Sequence, residues 1–256
     1  MTGYNKRHTE LYDLFYADRP YKEQADFIHR YLERYASTQT RRILELACGT
    51  GSHALILEKL GFDMTATDYS HDMIACAQRK ASAAKAKTQF YIQDMRNLDV
   101  PGRPFDACIC LFDSIGYVET DEGLRQTLQG VHRHLRPSGL FLFEFWHATA
   151  MLQHYEPFRS KRWENQEGEV VRIAETELDV ARNIAKVTYT IYETTSQGDS
   201  HVSKETQTNR FFLVQEMADL LTVNGFSLIK SFDGFTESVN ITEDTWHVVA
   251  LARSVE

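Results

Sequence analysis

Glu45, Gly49, Gly51, Asp68 and Asp94 fall at three points where the chain leaves an apolar segment. Their chemistry is that of holding a polar ligand. Ile43 to Ala54 reads I-L-E-L-A-C-G-T-G-S-H-A: a short apolar strand, a turn, and the start of a helix. Glycine in such a turn lets the backbone bend sharply and approach a bound molecule with no Cβ in the way. The pattern G-x-G alone is a weak signal. Asp68 ends the segment M-T-A-T-D, where a carboxylate can accept hydrogen bonds from both hydroxyls of a ribose; a plain helix N-cap is the alternative, and Ser70 alone could supply that. Asp94 and Met95 follow F-Y-I-Q, where they suit an adenine, the carboxylate toward its amino group and the apolar side chain against the ring. An ordinary turn aspartate is the competing reading. Glu45 is odd inside a strand, because a buried carboxylate is costly unless it meets a cation or hydrogen-bond donors. Pairing with Arg41 or Arg42 would be a purely structural use of it. Together these residues describe a nucleoside with a cationic or zwitterionic tail.

The elements that must position them alternate. Strands are expected at Ile43 to Ala47, Asp63 to Thr67, Gln89 to Ile92, Phe105 to Leu111 and Leu140 to Phe145. Helices are expected from Ser52 to Leu60, closed by Gly61, from Ser70 onward, and on Leu124, Leu128, Val131 and Leu135. Five strands with crossover helices predict a parallel, doubly wound sheet of Rossmann-like α/β type. Ahead of it, Phe27, Ile28, Tyr31, Leu32 and Tyr35 predict an amphipathic helix from Tyr21 to about Ala36, with a shorter aromatic helix around Glu10 to Ala17 and Pro20 between them. Between Glu169 and Phe212 the period becomes two, with turns at Arg182-Asn183 and Gln197-Gly198, which predicts an antiparallel insert of about three strands. A last helix, Val214 to Val223, ends at Asn224-Gly225, and strands follow near Phe226 to Phe232 and Trp246 to Ala252.

Composition narrows the function classes. The chain has 256 residues, 43% of them hydrophobic, enough for one α/β domain with an appendage. A net charge of −8 and the lack of a dense Lys/Arg block argue against a nucleic-acid partner. No run approaches the roughly 20 apolar residues of a membrane span or resembles a leader, so a soluble, cytoplasmic protein is expected. Cys48, Cys76, Cys108 and Cys110 lack C-x-x-C spacing and read as reduced thiols; no metal cluster is expected.

With these residues in order, the chain resembles the class I S-adenosylmethionine methyltransferases, whose glycine motif stands here as E-L-A-C-G-T-G. The resemblance covers Arg42 to about Phe145, and F-F-L-V-Q-E-M-A-D-L-L-T-V-N-G-F is similar to the family's penultimate helix. It implies S-adenosyl-L-methionine as cofactor, S-adenosyl-L-homocysteine as product, and a seven-stranded sheet whose last strand is antiparallel. The implied cofactor residues are Tyr21, Glu45, Ala47, Gly49, Gly51, Asp68, Tyr69, Met73, Asp94, Met95 and Leu111. An NAD-binding Rossmann domain is the rival, since G-T-G-S-H-A loosely meets G-x-G-x-x-G/A, but no second acidic ligand after strand 3 is expected there.

The segment C-L-F-D-S-I-G-Y-V, the aromatic start L-Y-D-L-F-Y-A-D-R-P-Y and the insert are similar to small-molecule N-methyltransferases acting on nucleotide-linked aminosugars. Tyr117 stands where those enzymes often have histidine. The resemblance implies a helical cap over residues 1–36, a core of 37–155 and 213–256, and an insert of 156–212 serving as lid or homodimer surface. It further implies a small-molecule acceptor among Tyr12, Tyr16, Asp113, Ser114, Tyr117, Phe145, Trp146 and His147. Tyr117 and His147 are the candidate catalytic residues, His147 as base, and Arg159 and Arg172 could hold a phosphate or carboxylate. Methyl transfer at nitrogen is expected, by in-line displacement at a sulfonium carbon that needs mainly alignment and exclusion of water. The alternatives are O-methylation of a small acid or hydroxyl, and a non-catalytic protein that binds the cofactor or its product.

Overall fold

In the computed structural model, which describes residues 6–165 and 168–255, two helices lead, α1 (Lys6–Phe15) and α2 (Tyr21–Tyr35). The apolar runs then become β1 (Arg42–Leu46), β2 (Asp63–Asp68), β3 (Gln89–Ile92), β4 (Phe105–Cys110) and β5 (Leu135–Trp146), joined by α3 (Ser52–Lys59), α4 (His71–Ala84) and α5 (Asp121–His134). After α6 (Ala148–His154) come four insert strands, β6 (Phe158–Asn165), β7 (Gly168–Asp179), β8 (Ile184–Thr195) and β9 (Ser200–Arg210). The chain closes with α7 (Val214–Val223), β10 (Phe226–Asp233) and β11 (His247–Ser254).

The main sheet has seven strands in the order β10-β11-β5-β4-β1-β2-β3. β11 alone runs opposite to the other six strands. These strands read as continuous apolar runs because both faces are covered. On one face Ile43, Ala107, Ile109 and Leu142 meet Ile28, Leu32 and Leu57 of α2 and α3; on the other Leu44, Cys108, Phe141 and Phe143 meet Leu124, Leu128 and Leu221 of α5 and α7. Strand order reverses between β1 and β4, so their carboxyl ends diverge and leave a crevice there.

The insert is an antiparallel meander of four strands, β6-β7-β8-β9, which corrects the expected three. The unread strand, Phe158–Asn165, is mostly exposed on both faces and so has no apolar period to betray it. Two boundaries also move. Leu135 opens β5 instead of ending a helix, and α1 takes in Lys6 to Thr9 as well, with His8 and Thr9 buried alongside the aromatics that follow. The turns at Asn183 and Gly198 and the stop at Gly225 fall where expected, each at positive φ.

α1 ties the insert to the glycine turn. Leu11 and Phe15 pack on Val170 and Ile191 of β7 and β8, and His8 Nδ1 lies 2.7 Å from Glu205 of β9. At its other side Asp13 accepts from Thr50 Oγ1 at 2.6 Å and pairs with Lys80 at 2.9 Å. Each buried apolar side chain adds about 1.5–3 kcal/mol, and partly exposed ion pairs add about 0–1. The apolar contacts therefore dominate, and the polar ones fix the helix over the turn.

Candidate active site

The turn after β1 needs backbone that side chains tolerate poorly: Ala47, Gly49 and Gly51 all have positive φ, +50°, +54° and +78°. At Gly51 a Cβ would stand 2.9 Å from the Phe90 ring and 3.1 Å from Ala77. Glycine is required there by both conformation and space. Asp68, at the end of the neighbouring strand, holds this turn: its carboxylate accepts from Gly49 N and Ser70 N, each at 2.8 Å. The helix cap is supplied by Ser70, whose Oγ accepts from Met73 N at 3.3 Å. Asp68 is thus an organiser of the turn with lone pairs left over. Burial raises its pKa, against the two amide bonds.

Beside this turn lies a cleft of about 680 Å³ of open space, walled by Tyr12, Ala47, Gly49, Asp68, Tyr69, Met73 and Met95 among others. Of the expected cofactor residues, six meet here. Asp94 does not: its carboxylate caps the turn Met95–Asn97 and is gripped by Arg96, Nε at 3.0 Å and Nη2 at 2.5 Å. Burial alone would raise the Asp94 pKa, but the Arg96 hydrogen bonds outweigh it and lower it. Gln93 takes the place at the cleft wall. Tyr21, Glu45, Ala47 and Leu111 line a small recess under the turn. Glu45 is 2% exposed, and its Oε2 has no hydrogen-bond partner among the described residues. Burial, then the nearby Asp68 charge, push its pKa up to about 8, against one hydrogen bond from the Ala54 backbone.

A second, larger cavity, with about 1820 Å³ of open space, lies between the sheet edge and the insert. The loop after β4 enters it strained, with Phe112 at φ +60° and Asp113 at +55°; Phe112 N donates to Glu144 Oε2 at 2.7 Å. Four charges then close on one another. His247 Nδ1 is 2.9 Å from Asp113 Oδ2 and 3.4 Å from Glu144 Oε1, while Arg19 Nη2 is 3.2 Å from Glu144 and its guanidinium stacks 3.8 Å over Phe112. Burial pushes the Glu144 pKa up to about 7, helped by Asp113. Burial would lower that of His247, but Asp113 and Glu144 prevail and raise it to about 9. Asp113, Glu144 and His247 offer ligand atoms within 4.8 Å of one another, a metal-like spacing. A cation there would have to displace Arg19 and the direct His247–Asp113 contact, since two carboxylates already face two cations.

Tyr16, Asp113, Tyr117 and Trp146 line this cavity as expected, whereas Ser114 and Tyr12 face the cleft. Phe145 is a core residue packed on Phe212 at a ring distance of 5.9 Å. His147 is buried beside the cavity, not on its wall, with Nδ1 3.2 Å from Thr245 O; burial lowers its pKa. The wall's imidazole is that of His247, paired directly across from Trp146. Arg172 is enclosed by Phe15, Tyr16, Trp163 and Tyr189, with its Cζ 4.6–5.4 Å from their rings. Arg159 is exposed at the cavity's far side. Sequence reading missed Arg19, Phe112, Glu144, Gln207, Asn209 and His247. A signal existed for Glu144, a lone carboxylate in the apolar run F-L-F-E-F, by the logic applied to Glu45.

Residues 43–139 match the family described as "Methyltransferase domain". YqeM of Bacillus subtilis is 29% identical over 234 residues, 89% of this chain and 88% of that protein. The dTDP-3-amino-3,4,6-trideoxy-alpha-D-glucopyranose N,N-dimethyltransferase of Streptomyces venezuelae is 32% identical over 145 residues, 56% of this chain, and the match spans only 59% of that enzyme's length. The crystal structure of an S-adenosylmethionine-dependent methyltransferase from Clostridium acetobutylicum superposes with a TM-score of 0.85 at 21% identity, covering 99% of each chain. Sheet order, glycine turn and these likenesses agree: residues 43–139 form a methyltransferase domain, and the chain as a whole has the fold of an S-adenosylmethionine-dependent methyltransferase.

Proposed function

We propose that the protein methylates an amine nitrogen of a small molecule seated in the larger cavity, with S-adenosylmethionine in the cleft. One observation carries the reading. The cleft and the cavity have three wall residues in common, Phe112, Tyr117 and Gln207, with the Asp113 carboxylate on the cavity side of that opening. A methyl group leaving the cleft there would meet a nucleophile whose N–H that carboxylate can accept, and a neutral amine is such a nucleophile.

The residues suit the cofactor on their own geometry. The orphaned Glu45 Oε2 beside Tyr21 is a partner for an α-ammonium. Asp68 has acceptor capacity for ribose hydroxyls, and Tyr69, Met73 and Met95 give an aromatic and thioether surface for a base. When bound, S-adenosylmethionine supplies an already activated sulfonium methyl. What remains for the protein is alignment and a dry site, and alignment alone is worth up to about 7–11 kcal/mol. Asp113, whose charge His247 already balances, accepts an N–H of the neutral amine. Phe112, Trp146 and Trp246 then desolvate it, which lowers its pKa and frees the lone pair. The Streptomyces relative is named for methylation of an amino group, which supports nitrogen as the acceptor atom.

The test is transfer of label from methyl-tritiated S-adenosylmethionine to a panel of small amines, with matched alcohols and carboxylic acids. N-methylated products are expected. Label found only on oxygen would replace this reading by O-methylation, and tight S-adenosylhomocysteine binding with no transfer to any acceptor would favour a non-catalytic binder.

A further inference from the structure

Two consecutive residues, Phe112 and Asp113, enter the left-handed region after β4, at φ +60° and +55°. Such backbone is unfavourable for a residue with a side chain, and it persists only where the surroundings hold it. Two buried side chains do so. From the sheet, Glu144 Oε2 accepts from Phe112 N at 2.7 Å. From the insert, Asn209 Nδ2 donates to the Asp113 carbonyl at 3.1 Å, an oxygen that Gly116 N also reaches at 3.0 Å. Asn209 is 5% exposed and closely fitted: a Cβ on Gly116 would stand 2.0 Å from its Oδ1 and 2.5 Å from the Arg210 carbonyl oxygen. Its neighbours on β9 hold the same stretch of chain further along. Thr208 Oγ1 donates to the Glu119 carboxylate, and Arg210 Nη1 donates to the Glu119 carbonyl at 3.3 Å and to Asp121 at 2.6 Å. The end of β9 is therefore fastened along residues 113–121, and Asn209 is the fastening that reaches the residue with the acceptor-side carboxylate.

We propose that Asn209 is a positioning residue for methyl transfer: by holding the Asp113 backbone it aims the Asp113 carboxylate at the opening between cleft and cavity. On the N-methylation reading above, on which this rests, that carboxylate accepts an N–H of the amine, and Asn209 is what keeps it there from the insert side. The direction in which a side chain leaves the main chain is set by φ and ψ. Relaxing Asp113 to ordinary backbone would swing its carboxylate away from His247 Nδ1, now at 2.9 Å, and from the opening with it. Asn209 acts through Asp113 and needs no contact with the reacting atoms. The insert thereby shapes the reacting centre and is more than its cover.

The placement of Asp113 can be read without any acceptor, because His247 reports it. Burial lowers the pKa of that imidazole, but Asp113 and then Glu144 raise it to about 9, with Arg19 opposing them. In Asn209→Ala, followed by NMR of the His247 ring, it should fall below about 8, and in an Asp113→Ala background the same substitution should change nothing further. Gly116→Ala, whose Cβ displaces the Asn209 side chain from the other side, should lower it as well. In Asn209→Ala, kcat/KM for benzylamine should fall about tenfold to a hundredfold while the S-adenosylhomocysteine Kd stays within about twofold, since Asn209 does not line the cleft. A His247 pKa unchanged in both variants would overturn the proposal. So would an equal fall in the Asp113→Ala background, or a loss of kcat/KM matched by the loss of S-adenosylhomocysteine affinity, which would mean that the amide serves the fold alone. Failure of the N-methylation reading looks different: the wild type then methylates neither benzylamine nor any other amine, while the His247 titration still separates the variants.

Discussion

Replacing Glu45 by glutamine should stabilise the free protein and weaken its hold on the cofactor, and the size of both effects follows from one buried carboxyl. Glu45 stands at 2% exposure with Oε2 unpartnered, and its pKa rises from 4.5 to about 8. Because the folded pKa lies above the unfolded one, stability is greatest at low pH and declines as pH rises from about 4.5 through about 8, then levels off. At 1.36 kcal/mol per unit the whole span corresponds to about 5 kcal/mol as an upper bound. Glutamine keeps an oxygen for the Ala54 N–H but leaves a buried amide, itself costing about 1–3 kcal/mol. The variant should therefore be more stable than wild type by about 2–4 kcal/mol at pH 9 and no more stable than wild type at pH 5, read from urea unfolding at the two pH values. Binding should move the other way. An α-ammonium beside Glu45 draws off its proton, so S-adenosylhomocysteine binding at pH 7 should release close to one proton, measured by calorimetry in two buffers of different ionisation enthalpy. In Glu45→Gln that release should vanish and affinity should fall about tenfold to hundredfold. Parallel stability profiles for the two proteins, with equal proton release, would refute the reasoning.

Asp68→Ala removes both the acceptor of Gly49 N and the proposed ribose contact; S-adenosylhomocysteine affinity should fall about tenfold to a hundredfold by calorimetry, and unchanged affinity would remove Asp68 from the site. His147→Ala should lower the melting temperature yet leave kcat/KM within about threefold, because its ring bonds Thr245 and is not on the cavity wall. His247→Asn, by contrast, deprives Asp113 and Glu144 of a cation, and kcat/KM for an amine should change by at least tenfold with an altered pH profile. Gly51→Ala forces φ +78° on an alanine whose Cβ meets Phe90 at 2.9 Å, and should destabilise the fold by about 1–3 kcal/mol in urea unfolding.

What the sequence disclosed was local. Gly49, Asp68 and Met95 each lie within three residues of a strand end, so reading the strands was enough to place them in one crevice. Glu45 was legible for the same reason, as a charge in an apolar run. Asp94 shows what local reading leaves out: Arg96, two residues on, grips the same carboxylate. The acceptor side depends on long-range meeting. Asp113 comes from the loop after β4, Glu144 from β5 and His247 from β11, well apart in the chain, and their mutual approach needs β11 to pair with β5 in one register, His247 opposite Trp146. Gln207 is polar in an alternating strand, which in sequence looks like a solvent-facing position. Only the docking of the insert on the loop after β4 turns it inward. His147 was chosen as the histidine ending a strand, while the histidine on the wall opens the neighbouring strand one hundred residues on.

The central claim is that the two cavities meet where methyl transfer takes place, and a crystal structure with S-adenosylmethionine bound tests it most directly. The sulfonium methyl should point through the opening bounded by Phe112, Tyr117 and Gln207 toward Asp113, with the ribose on Asp68 and the α-ammonium at Glu45. A methyl directed into a closed wall or away from the insert, with the larger cavity on the other side of the cofactor, would contradict the account.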